Sequence, residues 1–164
     1  MGSGKSSVGK KLAEVLSFNY LDLDDFIQEK ESKSIKEIFN TKGEIYFRKI
    51  ESKYLSEIIS KSNCVISLGG GTPCYGNNMK LIKESKNSSS VYLKTSIASL
   101  TDRLILEKDK RPLISHLLSK EELREFIGKH LFERSAYYNL SDLTINTDQS
   151  SIEEVVESIV LKLF

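Results

Sequence analysis

The first residues able to do chemistry are Gly2-Ser-Gly-Lys-Ser6, which match the closing half of the phosphate-binding pattern G-x-x-x-x-G-K-[ST]. In that arrangement backbone N–H groups and a helix N-terminus hold phosphate oxygens, a lysine reaches the outer phosphates and a hydroxyl ligates Mg²⁺. Lys5 and Ser6 stand where that chemistry needs them. The pattern's opening glycine would fall before Met1. Met1-Gly-Ser-Gly4 is also the composition of a flexible leader, yet Val8, Leu12, Val15 and Leu16 follow at helical apolar spacing, as a loop leading into a helix demands. A second group is Asp22-Leu-Asp24, and alternation on a short strand puts both carboxylates on one face, at the end of a parallel strand where ligands bind. Capping of the next helix is the competing use of such acids, favoured for Asp25. Gly69-Gly-Gly71 follows a predicted strand and offers backbone N–H groups to an anion without side-chain obstruction, though an ordinary turn has the same composition.

Arginine supplies the third kind of signal. Only Arg48, Arg103, Arg111, Arg124 and Arg134 are arginine in a chain of 24 basic residues, so positions that keep the planar fork are candidates for bidentate carboxylate or phosphate binding. Arg124, among Glu121, Glu122 and Glu125, reads as part of a solvated helix face.

These residues need positioning elements. Periodicity predicts a helix over about Lys5–Leu16, a strand at Phe18–Asp22, and helical segments through Lys61 opened by Ser34-Ile-Lys-Glu37 and Thr41-Lys-Gly-Glu44, both with capping-box spacing. Strands are predicted at Cys64–Leu68, Ser90–Lys94 and Asp142–Asn146. Ser119-Lys-Glu-Glu122 opens a helix with Leu123, Phe126, Ile127 and Leu131 on one face, and Ser151-Ile-Glu-Glu154 opens the last. Alternation of strands with helix-length segments indicates an α/β fold with a parallel sheet.

Length and composition exclude other classes. At 164 residues, 39% hydrophobic and 29% charged, the chain suits one domain with a proper core. A net charge of +1 without a dense basic run gives little attraction for nucleic acid or anionic lipid, but leaves small anionic ligands open. There is no apolar stretch of membrane length and no secretory core, so the expected location is the cytoplasm. Cys64 and Cys74 match neither a disulfide framework nor a common zinc spacing and read as reduced structural thiols.

In order, Gly2-Ser-Gly-Lys-Ser6, Asp22-Leu-Asp24, Phe47-Arg-Lys-Ile-Glu51, Gly69-Gly-Gly71, Arg111-Pro-Leu113 and Arg134 resemble the shikimate kinase family, and the resemblance spans essentially the whole chain. It implies a P-loop, nucleoside-monophosphate-kinase-like fold: a five-stranded parallel sheet flanked by helices, here with the first strand missing. It further implies a single domain over 1–164, with a mobile lid over about 107–118 and a substrate-binding helical region over about 24–61. The implied activity is transfer of the γ-phosphate of ATP to the 3-hydroxyl of shikimate, in chorismate and aromatic amino acid biosynthesis. Carried across position by position, Gly2, Ser3, Gly4, Lys5, Ser6 and Ser7 hold the ATP phosphates. Ser6 ligates Mg²⁺ and Asp22 supports the metal through water. Asp24 holds the reacting hydroxyl. Arg48, Arg134 and Gly69, Gly70 and Gly71 contact the substrate's carboxylate and hydroxyls. Arg111 is the lid arginine that closes over the transferring phosphate. The implied partners are shikimate and ATP, bound by a monomer.

Departures from the family pattern are specific. Ala136 stands for a proline in Arg134-Ser-Ala-Tyr-Tyr138, and Thr147-Asp-Gln-Ser150 lacks the arginine that many members carry near adenine, which leaves Arg103 as the candidate to stack there. The missing first strand and loop glycine lead us to expect that Met1 is an internal methionine and that the 164-residue chain alone is unstable or nearly inactive. Two alternatives therefore stand beside the shikimate reading: a P-loop kinase of another small acceptor, and a nucleotide-binding chain without turnover.

Overall fold

The computed structural model describes residues 2–107 and 114–164. Arg111, expected from the resemblance as a lid arginine, and much of the expected lid lie outside the described residues. The chain divides into two compact units, Ser6–Ser90 and Met1–Lys5 with Val91–Phe164.

The Ser6–Ser90 unit opens with α1 (Lys5–Leu16), which turns Val8, Gly9, Leu12 and Ala13 inward. Val15, expected on that stripe, is half exposed. Gly9 is where the helix approaches the strands most closely, since a Cβ there would lie 2.8 Å from the Tyr20 ring and 3.0 Å from Ser67 Oγ. Strand β1 (Asn19–Asp22) pairs in parallel with β2 (Cys64–Ser67), with Asp22 opposite Ser67. Between them run α2 (Leu23–Glu31) and α3 (Ile35–Ile58). Leu23, Ile27, Ile38, Phe47, Ile50, Tyr54, Leu55 and Ile58 form the core that joins these two helices. Each such burial is worth roughly 1.5–3 kcal/mol against an exposed side chain.

Ser34 caps α3 in a complete capping box with Glu37. The second expected box does not form. Thr41 Oγ1 donates to the Glu37 carbonyl at 2.7 Å, and α3 kinks at Gly43, whose φ of 79° takes it out of helical geometry. Glu44 is thereby free to turn toward Arg48 instead of back to Thr41. After β2 a short 3₁₀ turn, Thr72–Cys74, leads to α4 (Asn78–Glu84).

In the other unit, β3 (Val91–Lys94) pairs in parallel with β4 (Leu143–Asn146). Helix α5 (Ile97–Ile105) packs on α6 (Lys120–Tyr138) through Leu100, Leu104, Ile114, Leu123 and Ile127, with Phe126 and Leu131 against them. Ser119 and Ser151 form the expected capping boxes at α6 and at α7 (Ile152–Leu163). The five-stranded sheet implied by the family is thus represented, among the described residues, by four strands in two parallel pairs. No described helix is long and apolar enough to cross a membrane.

Candidate active site

In the phosphate-loop segment Gly2 and Gly4 adopt φ of 71° and 83°, a left-handed geometry that side chains disfavour, and Lys5 and Ser6 follow in the first turn of α1. Ser6 and Ser7 are exposed. Gly2 also meets the other end of its unit: a Cβ there would press on Leu104 at 3.0 Å.

The two aspartates do not share a strand face. Strand β1 ends at Asp22, whose Oδ1 accepts the Asp24 N–H at 3.0 Å and so caps α2. That bond turns the chain, placing Asp24 and Asp25 in the first helical turn. The capping role expected of Asp25 thus belongs to Asp22. The second carboxylate oxygen of Asp22 accepts from Tyr20 Oη at 3.4 Å. Asp24 is carried instead toward the glycine run, with its Oδ1 3.5 Å from the point a Cβ on Gly69 would occupy.

Around that point lies a polar network that sequence reasoning did not assemble. Glu51 is only 1% exposed. Its Oε2 accepts from Arg48 Nη1 at 2.9 Å and its Oε1 from Thr72 Oγ1 at 2.7 Å. Asn78, also buried, donates to the Thr72 carbonyl at 2.8 Å and accepts from Ser52 Oγ at 2.7 Å. A carboxylate this buried is stable only when paired and hydrogen-bonded, and here both its oxygens are. Burial by itself would lower the Arg48 pKa, but the hydrogen bond and charge of Glu51, helped by Tyr75 and Glu44, reverse that and hold the guanidinium above its usual range. Arg48 stays charged at any relevant pH.

Space explains Gly69 and Gly71. Gly71 has an ordinary φ of −87°, yet a Cβ on it would stand 3.2 and 3.3 Å from the two Nη atoms of Arg48. Gly69 is similarly crowded, with Thr72 Oγ1 at 3.0 Å and Glu51 Oε1 at 3.7 Å. Its carbonyl accepts from Thr72 N, that of Gly71 from Cys74 N, and Gly70 lies between them on the turn.

In the other unit, Arg103 Nη2 donates to the Thr147 carbonyl at 3.0 Å, which joins it to the segment after β4 singled out in the sequence. Asp148, next in that segment, accepts from Ser96 N and Oγ. Arg134 is half-buried on α6, one turn after His130, and Arg124 is exposed there.

A family model described as shikimate kinase matches residues 1–164. The chain belongs to the shikimate kinase family. A shikimate kinase of Flavobacterium johnsoniae is 47% identical over 161 residues, covering 98% of this chain and 92% of the relative. The crystal structure of a Bacteroides thetaiotaomicron shikimate kinase aligns with a TM-score of 0.86 at 32% identity, over 99% of this chain and 93% of that one. An Acinetobacter baumannii shikimate kinase in complex with shikimate aligns at 0.84 and 31% identity, over 99% and 88%. The α/β fold with its parallel strands is the nucleoside-monophosphate-kinase-like P-loop fold of this family.

Sequence reasoning had given no site role to Thr72, Asn78 or Tyr75, had placed Glu51 only within the family motif and had expected Glu44 only as the capping partner of Thr41. For Glu51 a signal existed: it lies three residues after Arg48 on a helix, amid the buried positions Ile50, Tyr54 and Leu55, where an acid needs a partner.

Proposed function

We propose that this chain transfers the γ-phosphoryl group of ATP to the 3-hydroxyl of shikimate, giving shikimate 3-phosphate, and that the residues around Asp24 and Arg48 receive the acceptor. The family match over the whole chain supports the activity. The observation that carries the assignment of the acceptor site is the buried Arg48–Glu51–Thr72 network beside Gly71 and Asp24. It supplies one fixed cation, a hydroxyl-binding carboxylate and a wall without side chains, as a small carboxylated polyol requires.

In the reaction the acceptor hydroxyl oxygen forms a bond to the γ-phosphorus in line with the departing bridging oxygen, whose bond breaks to release ADP. Asp24 orients that hydroxyl and takes its proton. Lys5 and the amides of residues 2–7 hold the transferring and leaving phosphates. Arg48 and Arg134 bind the acceptor's carboxylate, with the amides of Gly69, Gly70 and Gly71 at its hydroxyls, and Arg111 neutralises charge on the transferring group. Arg103, tied to the Thr147 carbonyl, lies against the base.

The oxygen donors of Ser6 and Asp22 suit Mg²⁺, a hard cation that keeps several waters and is bound mainly through nucleotide phosphates. Asp22 is held in place by the Asp24 N–H on one oxygen and the Tyr20 hydroxyl on the other, and the lone pairs that remain on those oxygens suit it to hold a metal-bound water. Held there, the metal would supply positive charge to offset that of the nucleotide phosphates. A cytoplasmic monomer belongs to the same reading.

Phosphoryl transfer from labelled ATP, measured side by side with shikimate, gluconate and a nucleoside monophosphate, tests the proposal. We expect labelled product with shikimate only. Nucleotide binding without any acceptor turnover, or preferential labelling of another acceptor, would overturn it.

A further inference from the structure

Arg48 is held from a second side, by residues the phosphoryl-transfer reading leaves unused. Tyr75, two residues beyond Pro73, lays its ring over the guanidinium with the centroid 3.7 Å from Cζ, well inside cation–π range. Its hydroxyl donates to Glu44 Oε1 at 3.0 Å, and that same oxygen accepts from Arg48 Nε and Nη2, both at 3.4 Å. Glu44 reaches this point because α3 kinks at Gly43 immediately before it. The fork's five N–H groups are thereby divided. Nη1 is engaged by Glu51, the Nε and Nη2 side by Glu44, one ring face by Tyr75, and the end carrying both Nη atoms looks onto the space where Gly71 has no side chain.

We propose that Tyr75 and Glu44 are positioning residues for acceptor binding, which fix the Arg48 guanidinium so that its two Nη atoms present a rigid end-on edge beside Gly71 to the acceptor's carboxylate. The proposal rests on the reading that Arg48 binds that carboxylate. An arginine side chain carries much rotamer entropy, and a fork held in place before the ligand arrives loses less on binding. Burial and Glu51 fix the position of Nη1 alone. A plane is fixed only by further contacts, and these are the ones Tyr75 and Glu44 supply. Tyr75 is 37% exposed and Glu44 more so, so neither is needed to fill the core. A pure charge effect would have the opposite sign: an acid beside Arg48 repels an incoming carboxylate, and its removal would then tighten binding.

Steady-state kinetics of the full chain separate these cases. Tyr75→Ala is expected to raise the KM for shikimate about tenfold while kcat and the KM for ATP change less than about twofold, the pattern of lost ground-state positioning. Tyr75→Phe keeps the ring and loses only the tie to Glu44, so a rise of about two- to threefold is expected, and the same for Glu44→Gln. In an Arg48→Ala background neither change should add to the effect, because each acts through Arg48. Melting temperatures of the three variants should stay close to that of the unchanged chain; if Tyr75→Ala fails to fold, the Phe and Gln variants carry the test. A KM for shikimate that is unchanged or lowered in the Phe and Gln variants, while Arg48→Ala raises it, overturns this proposal and leaves the Arg48 reading intact. If Arg48→Ala itself leaves the KM unchanged, it is the acceptor-site reading that fails.

Discussion

Arg48 and Arg103 show two ways of using the same side chain. Arg48 is mostly buried, shares a 2.9 Å ion pair with a nearly inaccessible glutamate and lies under a tyrosine ring. Arg103 rests on the main-chain carbonyl of Thr147, whose own side chain is buried against Thr95, and the next residue, Asp148, is exposed and accepts from Ser96. The first arrangement is pre-organised by contacts from several side chains. The second rests on a single main-chain acceptor. Discrimination among small acids is therefore expected to depend on distant residues of the Arg48 network, whereas nucleotide handling should depend on local loop geometry and on Lys5.

The largest expected effects fall on the reacting groups and sharpen that contrast. Asp24→Asn should reduce kcat by roughly 10²–10⁴ with ATP binding little changed, as measured by steady-state rates and nucleotide titration. Lys5→Ala should lose turnover and phosphate affinity together, since Lys5 serves ground and transition states alike.

Next comes the network itself. Glu51→Ala leaves the buried Thr72 hydroxyl without its acceptor and takes from Arg48 its shortest ion pair, and an unsatisfied buried polar group costs about 1–3 kcal/mol. Denaturant unfolding should show that loss. A stability change within experimental error would mean that the network is not pre-organised, and the comparison would break there. Gly71→Ala has a smaller target, because its Cβ would crowd only the tip of the Arg48 fork, at 3.2 and 3.3 Å from the two Nη atoms, and displace it from the acceptor. It should raise the KM for shikimate several-fold, about 1 kcal/mol of binding, while leaving the melting temperature nearly unchanged.

The smallest effect concerns pH. Glu31 accepts from Tyr46 Oη at 2.8 Å and Tyr54 Oη at 2.9 Å, and these bonds, with Lys42 and Lys53 nearby, hold its carboxyl below the ordinary 4.5 despite burial. Burial, then the bond to Glu31, pushes the Tyr54 phenol up to about 12, so it remains a donor throughout. With a depressed folded pKa, the stability contributed by Glu31 is complete above the unfolded value and is lost as pH falls through the folded one. Melting curves between pH 5 and pH 3 should therefore fall less steeply for Glu31→Gln than for the unchanged chain.

Much of the scaffold was legible because it rests on local rules. Three of four expected capping boxes form, at Ser34, Ser119 and Ser151, and α1 occupies the residues its apolar spacing marks. Thr41 failed because its hydroxyl found a carbonyl four residues back, a competition that spacing alone does not decide. Asp24 left the strand because Asp22 captured its N–H, although both acids had been singled out. The Arg48 surroundings were the least legible. Thr72, Tyr75 and Asn78 reach Glu51, Glu44 and Ser52 across 21 to 31 residues, and no local periodicity encodes such a meeting.

The measurement that bears most directly on the account is the ratio of kcat/KM for shikimate to that for its carboxamide, in the unchanged chain and in Arg48→Ala. A fixed guanidinium built to pair with a carboxylate predicts strong preference for the acid, about a hundredfold or more, falling to near parity when Arg48 is removed. Equal use of acid and amide by the unchanged chain, or a preference that survives the loss of Arg48, would contradict it.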